Sequence, residues 1–358
     1  MTERVDFILA IKEYFPGANT PDGFYSYYSH ILKPHEVKRK VILKGGPGTG
    51  KSSLMKKTAE KAASLGLGTE LLHCSSDPAS LDGVCIRELG FLITDGTSPH
   101  VIDPALPGAA DEIINLGDFW NEDKIKPHRA DIEKLSTNIS AEFAGVYRYM
   151  KAAQIIENQI KSYSDCNEEF VYEELEATRK ELGISKVCCG GKCRSGFLTA
   201  HTHLGKVSFA DSFASDAKNI IRIVPDVSGG WEKYMNKLSD MLVMSGLSVR
   251  VFFDSMNPGS VCEHLYVEEE DIFITTAKSV SDSKKCLKTI NFDLHSSKMP
   301  YSVDAEDDLY LRDALMKKSI LMLKNAKKLH DELEKYYIPH MNFEMMDTVS
   351  EKIFKMIE

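Results

Sequence analysis

Eight consecutive residues combine glycines with a lysine and a hydroxyl in a spacing that suits phosphate. Residues 45–52 read Gly-Gly-Pro-Gly-Thr-Gly-Lys-Ser and fit the pattern G-x-x-x-x-G-K-[ST] at every fixed position. In this pattern, backbone N–H groups point at the phosphates, and the positive end of the following helix adds to the attraction. Lys51 is expected to reach the β- and γ-phosphates, and the Ser52 hydroxyl to bind Mg²⁺. The sequence therefore predicts a nucleoside triphosphate site.

The flanks of this loop have the form that the motif requires. An apolar run, 41–43, precedes it as the feeding strand, and a helix-compatible run, 52–65, follows it before Gly66. ATP with Mg²⁺ is the expected cofactor pair; the Asn-Lys-x-Asp element typical of guanine recognition is absent from the sequence, but the sequence does not itself distinguish ATP from GTP. The expected cofactor-binding residues are Gly45, Gly46, Pro47, Gly48, Thr49, Gly50, Lys51, Ser52 and Ser53.

A second metal ligand is expected at the end of a neighbouring strand. Residues 91–94 are predicted to form a strand, and Asp95 follows them. Enzymes that bind a nucleoside triphosphate through such a loop usually place the carboxylate that holds Mg²⁺ at this position. Asp77 and Asp82 follow another predicted strand, 69–74, and either could orient a water or an acceptor hydroxyl. Asp-Pro and Asp-Gly pairs also form turns. Lys51, Asp95 and Asp82 are the predicted catalytic residues, and Ser52 and Asp95 the predicted metal ligands.

The chain contains an internal duplication. The segment Phe15-x-x-Ala18-x-Thr20-x-x-Gly23 recurs as Phe197-x-x-Ala200-x-Thr202-x-x-Gly205, and further matches pair Gly50 with Gly230, Gly66 with Gly246, and Pro78 with Pro258. Residues retained in both copies, such as Thr20 and Gly23, are expected to be structural. The aligned positions assign Cys262 to Asp82 and Thr275 to Asp95, which favours both acids as first-copy functional residues. Asn257 retains the Asp77 turn, which favours a turn there.

The second copy lacks the phosphate-binding groups. Its loop, 225–232, reads Pro-Asp-Val-Ser-Gly-Gly-Trp-Glu, so Trp231 replaces the lysine and Glu232 replaces the hydroxyl. Asp226 adds a negative charge where phosphate would lie, and like charges repel most strongly in a poorly solvated site. We expect the second copy to be structural or regulatory.

Alternating strands and helices predict an α/β fold with two P-loop-like domains, each with a mainly parallel sheet and a helical hairpin. The second-copy strands are expected at 220–224, 248–253 and 271–275. The helices are expected at 127–163, 168–182, 305–337 and 344–357, from their apolar spacing. The predicted segments are 1–125 (intact loop domain), 126–185 (helical), 186–300 (degenerate domain) and 301–358 (helical).

Composition argues against membrane and nucleic-acid classes. The 358 residues carry a net charge of −9, so charge gives no general affinity for nucleic acid or membranes. The charged N-terminal residues and the lack of a long apolar run predict a cytoplasmic protein without a membrane span. The helical segments offer surfaces for a protein partner. Cysteines cluster only at Cys188, Cys189 and Cys193, and their spacing leaves free thiols or a metal site open.

The loop and the segments Asp77-Pro-x-Ser-Leu-Asp-Gly and Asp95-Gly-Thr-x-Pro-His100 resemble the P-loop NTPase superfamily, and in it bacterial proteins with two tandem P-loop domains described as ATPases or nucleotide kinases. The resemblance covers nearly the whole chain and implies ATP binding. Three functions stay open: an ATPase, a nucleotide or small-molecule kinase with Asp82 as base and the loop 98–108 as acceptor pocket, and a non-catalytic nucleotide sensor. His100 and the arginines 87, 129, 148 and 194 are further candidates near the phosphates.

Overall fold

The structure is a computed structural model that describes residues 11–184, 190–280, 285–296 and 303–358. Within these residues the chain forms two compact units. Unit 1 contains residues 11–14, 31–140 and 326–358, and unit 2 contains 15–30 and 141–325. The limits of the units therefore fall inside two long helices, whereas the sequence suggests consecutive segments with boundaries at 125, 185 and 300.

The secondary structure alternates strands with helices along most of the chain. The strands are β1 Ile11–Tyr14, β2 Gly17–Thr20, β3 Gly23–Ser26, β4 Arg39–Lys44, β5 Thr69–His73, β6 Leu81–Ile86, β7 Phe91–Asp95, β8 Asp111–Asn115, β9 Cys193–Gly196, β10 Thr199–Thr202, β11 Gly205–Ser208, β12 Asn219–Val224, β13 Val249–Phe253, β14 Cys262–Val267, β15 Ile272–Thr275 and β16 Cys286–Asn291. The helices are α1 Lys51–Ser64, α2 Glu122–Ile125, α3 Arg129–Lys161, α4 Glu168–Glu181, α5 Ala210–Asp216, α6 Gly230–Met244, α7 Val303–Glu334 and α8 Glu344–Phe354.

Unit 1 is built on a six-stranded sheet in the order β1-β5-β6-β7-β4-β8. Every pairing is parallel except the two that β6 makes, so β6 alone runs against the others. Strand β4, which lies between β7 and β8, is fully buried at Val41, Ile42 and Leu43, as expected for a strand covered on both faces. Leu54 and Met55 of α1 pack into the same core, which fixes the helix beside the strand that precedes it.

Unit 2 repeats this topology. Its sheet has the order β9-β13-β14-β15-β12-β16, again with one antiparallel strand, β14. Each strand corresponds to the one at the same place in unit 1, so the duplication predicted from the sequence is confirmed as an α/β fold with two mostly parallel sheets. All six strand predictions are confirmed to within two residues, whereas the sequence reading missed β1, β6, β8 and their counterparts.

The strand registers correct two of the residue correspondences. Leu72 pairs with Gly83, and the equivalent Phe252 pairs with His264, so the second copy has one extra residue between its strands. The counterpart of Asp82 is therefore Glu263, and Cys262 corresponds to Leu81. The same shift makes Thr276 the counterpart of Asp95. The expectation that Asp82 lacks an acidic counterpart is wrong, while Asp95 still has none.

The helices of the two copies are exchanged between the two units. In unit 1, α8 of the second copy buries Met346, Val349 and Ile353 in the core that contains α1. In unit 2, α4 of the first copy buries Val171 and Leu175 in the core that contains α6. Each α/β sheet is therefore completed by a helix that the other copy supplies. The four predicted helical segments are present as α3, α4, α7 and α8.

Two small hairpins carry the best-matched sequence segment. In β2–β3 the Thr20 hydroxyl donates to the Gly23 carbonyl at 2.7 Å, and in β10–β11 Thr202 donates to Gly205 at 3.0 Å. Both glycines have φ 109°, a conformation that side chains disfavour. The shared residues therefore serve the hairpin turns.

Among the described residues, no helix is long and apolar enough to cross a lipid bilayer.

His201 of β10 is a buried histidine. Its Nδ1 lies 3.2 Å from the Ser255 hydroxyl, inside unit 2. Burial, and then the positive charge of Lys206, lowers the pKa of His201 to about 4, while the Glu263 carboxylate opposes the shift. The histidine of the unfolded chain has a pKa of about 6.5, so it binds a proton at a higher pH than His201 does in the folded chain. The free energy of unfolding therefore falls as the pH decreases from about 6.5 to about 4.

We predict that His201→Asn reduces the acid sensitivity of unit 2. Asparagine is the residue at the corresponding position of the first copy, Asn19. The wild type should lose about 2 kcal/mol of unfolding free energy through His201 between about pH 7 and pH 4.5, and the variant should lose that much less. Urea denaturation at both pH values measures the difference. Equal pH dependence in the two proteins would contradict the burial of a neutral imidazole.

Candidate functional site

The predicted phosphate-binding loop connects β4 to α1 at the carboxyl edge of the unit 1 sheet. Gly48 and Gly50 have φ values of 68° and 82°, and Gly50 caps the helix in the left-handed conformation. A side chain at either position would strain the backbone. The glycines therefore allow the loop to curl over the start of α1, where helix N–H groups lack partners within the helix.

Lys51 folds back over this loop. Its Nζ donates to the carbonyl oxygens of Gly45 at 2.5 Å and Gly46 at 3.0 Å. The same ammonium lies 3.6 Å from Oδ2 of Asp95, and both side chains are largely buried. The structure therefore brings together the two charged residues that the sequence predicts for the site.

Strand pairing explains why Asp95 reaches this position. β4 and β7 are adjacent parallel strands, and Leu43 pairs with Asp95 in register. Parallel neighbours end at the same edge, so Asp95 follows its strand where the loop follows β4. The backbone N–H of Thr97 and its hydroxyl both donate to Asp95 Oδ1, at 2.8 and 2.6 Å. The carboxylate is thus held with Oδ2 toward Lys51.

The remaining predicted loop residues have distinct environments. The Ser52 hydroxyl accepts a hydrogen bond from the Leu81 N–H at 3.0 Å, which joins α1 to the start of β6. The Thr49 hydroxyl donates to the Gly46 carbonyl at 3.0 Å and stabilises the turn. Ser53 is exposed on the surface of α1. Ser52 is therefore joined to the strand that carries Asp82, while Ser53 faces solvent.

Asp82 lies in a strand rather than in the expected loop. It is the second residue of β6, and it is buried with 7% of its surface exposed. Ligand atoms of Asp82, Asp95 and His100 all lie within 4.8 Å of one another. The structure thus brings Asp82 to the site, together with His100, although Asp82 lies in a strand and has an acidic counterpart in the second copy, contrary to the sequence-based expectation. Asp77 forms the predicted turn: its Oδ1 accepts from the Ala79 N–H at 3.1 Å.

The sequence reading missed the residues that cover the loop. The Gly48 N–H donates to Oε1 of Glu334, at the end of α7, over 3.2 Å. The Ile338 side chain lies so close to Gly48 that an added Cβ would come within 2.6 Å of it, and Phe343 and Met346 lie against Gly50. The Gly48–Glu334 pair joins residues 286 positions apart in the chain, and the other contacts span still more of it, so no local pattern predicts them. All of them belong to unit 1.

The arginine candidates have other partners. Arg87 forms two hydrogen bonds with the Glu70 carboxylate, at 2.9 and 2.7 Å, and Arg194 binds Glu268 within unit 2. Arg148 donates to the Ala144 carbonyl on the surface of α3, and Arg129 pairs with Glu133 on the same helix. These contacts give each arginine a structural role, and none of them involves a residue of the loop.

The proline-rich loop after Asp95 lines a cavity, but at the wrong end of the sheet for an acceptor site. The cavity has a volume of about 360 Å³ and is lined by Arg39, Pro104, Pro107, Gly108, Asp111, Glu112 and Ile113. Arg39 begins β4, whereas the predicted phosphate-binding loop follows the end of that strand. Five residue steps of a strand span about 17 Å. The cavity is therefore remote from Lys51.

The second-copy loop is closed by its own aspartate. The Asp226 carboxylate accepts from the N–H groups of Gly230 at 3.1 Å and Trp231 at 3.0 Å, and from the Ser228 hydroxyl. The left-handed cap is Gly229, so α6 begins one residue earlier than α1 does. A buried carboxylate thus occupies the amide donors at the start of α6.

Glu232 stands where the first copy has Ser52. It forms an ion pair with Lys161 at the end of α3, with 2.5 Å between Lys161 Nζ and Glu232 Oε1.

The six cysteines of the described residues form no disulfide with one another. Cys188 and Cys189 lie outside the described residues.

No protein-family model, curated protein or solved structure matches this chain significantly.

Proposed function

We propose that the first copy binds Mg-ATP at residues 45–52 and hydrolyses it. The observation that carries the proposal is the Lys51 ammonium, 3.6 Å from Asp95 Oδ2, above a glycine-rich loop at the start of a helix. That combination supplies backbone donors, a cation and a carboxylate at one edge of a mostly parallel sheet. In the second copy Trp231 replaces the lysine, Thr276 replaces Asp95, and the amide donors are occupied by Asp226, so in this proposal it is structural or regulatory.

The donor set fits both groups. Ser52 and Asp95 would hold Mg²⁺, which neutralises charge on the phosphates when bound. The N–H groups of the loop would bind phosphate oxygens, and Lys51 would exchange the carbonyls of Gly45 and Gly46 for the β- and γ-phosphates. The fixed amide dipoles and the ammonium would stabilise negative charge that develops during transfer.

Phosphoryl transfer to a metabolite or nucleotide is the second candidate function, and two of the arguments for it are weaker than expected. Asp82, its predicted base, lies against Asp95 and His100. The cavity beside the proline-rich loop lies at the opposite end of β4. We therefore prefer water to an organic molecule as the acceptor of the phosphoryl group.

Lys51→Ala tests the hydrolysis. Phosphate release from Mg-ATP should fall by about 100-fold or more, because charge stabilisation of the transferring group is lost. Lys56→Ala removes an exposed lysine from the same helix and should leave the rate unchanged. A wild-type rate no higher than that of Lys51→Ala would refute hydrolysis at this loop.

A nucleotide sensor is favoured by a specific observation, the C-terminal cover. Glu334 and Ile338 contact Gly48, and Phe343 and Met346 contact Gly50, so they lie in the space that phosphates would approach. A carboxylate about 4 Å from a phosphate costs about 4 kcal/mol at an effective dielectric of 20. Nucleotide binding would displace this cover and alter the surface that α8 presents to a partner.

Glu334→Gln should therefore bind ATP several-fold more tightly than the wild type, because it removes the competing charge. A gain of about 1 kcal/mol corresponds to roughly a fivefold change in Kd. Glu332→Gln, on the exposed side of the same helix, is the matched control. Calorimetric titration with ATP measures both, and hydrogen exchange of residues 338–346 should rise on binding. Equal affinities would exclude competition by Glu334.

Asp226→Ala tests the structural role of the second copy. Loss of the carboxylate that caps α6 should lower the free energy of unfolding by about 1–2 kcal/mol and leave ATP affinity unchanged. Asp240→Ala, an exposed position on the same helix, should change stability little. A change in ATP affinity in Asp226→Ala would show that the second loop participates in binding.

A further inference from the structure

We infer that Asp82, Asp95 and His100 form a site for a divalent transition-metal cation, for which Mn²⁺ is the probe. The site shares Asp95 with the proposed function, but it requires no nucleotide. It differs from an ordinary Mg²⁺ site because it contains an imidazole. The inference stands on strand pairing, on burial, on the identity of the three donors and on comparison with the second copy.

Strand pairing places the two carboxylates together. β6 and β7 are antiparallel, and Gly83 pairs with Thr94, so Asp82 lies opposite Asp95 on the same face of the sheet. The Thr94 hydroxyl also donates to the Asp82 carbonyl at 3.2 Å. The relative position of the two side chains therefore depends on backbone pairing, and not on a mobile loop.

A second set of contacts fixes the histidine. The Lys44 ammonium donates to the carbonyls of Gly96 at 2.6 Å and Ile102 at 2.9 Å, which anchors the segment on either side of His100. The ring is buried, with 9% of its surface exposed. Its nitrogen thereby joins the carboxylate oxygens within 4.8 Å.

The separation of the donor atoms suits a common cation. Ligands bound at about 2.1 Å to one ion lie about 3–4 Å from one another, which small side-chain movements can reach from this arrangement. The two carboxylates are also buried and close to each other, which is unfavourable unless positive charge lies between them. Lys51 faces Asp95 Oδ2 and supplies one such charge, and a divalent cation would complete the neutralisation.

The donor types select the kind of metal. Mg²⁺ prefers oxygen ligands and retains several waters, whereas imidazole favours first-row transition metals. Two carboxylates with one imidazole suit a cation that accepts both, such as Mn²⁺. A second group with metal-ligand chemistry among the described residues, at His330, Asp331 and Glu334, is less buried, and its Glu334 already accepts from Gly48.

The second copy provides an internal comparison. Glu263 takes the place of Asp82, but Thr276 takes the place of Asp95, so only one of the two acids remains. That one, Glu263, is compensated by side chains: its carboxylate lies 3.5 Å from Lys206 and 3.4 Å from Nε2 of His264. The pair of acids with a loop histidine is thus a property of the first copy.

Mn²⁺ binding to the full chain without nucleotide tests the inference. Electron paramagnetic resonance should detect one bound Mn²⁺ in the wild type, and His100→Ala should weaken that binding tenfold or more. The affinity for Mg²⁺, measured by its competition with Mn²⁺ in each protein, should change less than twofold, because the imidazole is not a Mg²⁺ ligand. Asp82→Asn should weaken both. His35→Ala, an exposed histidine of the same unit, should change neither.

The outcomes separate this site from the proposed function. Lys51→Ala should bind Mn²⁺ at least as tightly as the wild type while losing phosphate release. If the wild type hydrolyses ATP but binds no Mn²⁺ without nucleotide, the metal site is refuted and the hydrolysis stands. A His100→Ala protein that loses Mn²⁺ and Mg²⁺ affinity by the same factor would assign His100 a structural role, and circular dichroism identifies a variant that has not folded.

Discussion

The N–H groups at the start of a helix need acceptors, and this requirement distinguishes the two loops of the protein. In the second copy, Asp226 supplies a carboxylate to Gly230 and Trp231 from within the loop. The corresponding residue of the first copy is Gly46, which has no side chain. The first loop takes one acceptor from far along the chain, because the Gly48 N–H, just before the start of α1, donates to Glu334. A hydrogen-bond acceptor within the loop is always next to the N–H groups, whereas an acceptor from a distant segment can be replaced by another group.

The exchange of helices explains where that distant acceptor comes from. The matches between the helical segments pair Tyr163 with Tyr336 and Phe170 with Phe343, and the same alignment pairs Lys161 with Glu334. Each of these last two residues lies at the end of a long helix and contacts a loop region of the other copy. Lys161 meets Glu232 in unit 2, and Glu334 meets an N–H group in unit 1. Equivalent positions thus contact one loop region through an ion pair and the other through a hydrogen bond from a backbone N–H to a carboxylate.

The sequence was sufficient for those features whose causes are local. The glycine-rich loop, the apolar strands before it and the long amphipathic helices each have a periodic or fixed-spacing signature, and so does the duplication. Asp82 shows where local reasoning ends: Asp-Pro and Asp-Gly marked a turn around it, yet pairing with β5 and β7 extends the strand back to Leu81. Strand register alone locates the extra residue before β14, so an ungapped alignment of the two copies does not pair Glu263 with Asp82.

Contacts between distant segments could not be read in this way. Nothing in the composition of residues 334–346 indicates that they lie against Gly48 and Gly50, because that placement depends on which sheet α8 covers. A sequence pattern reports that a helix has an apolar face, but the choice between two similar sheets rests on side-chain packing. The same holds for His100, which reaches the acids because Lys44 anchors its loop.

Duplication makes the chemistry of the first copy easier to interpret, since the two sheets have the same order and strand directions. The differences that matter are confined to a few positions at one edge: Gly46 against Asp226, Lys51 against Trp231, Ser52 against Glu232, and Asp95 against Thr276. Each changes the charge or the hydrogen-bonding groups at that edge, while the buried strands are maintained. Such a distribution is expected when the fold is retained while one edge of the sheet is free to change. The first copy retains the groups that these changes remove, at the edge where strand register holds them together.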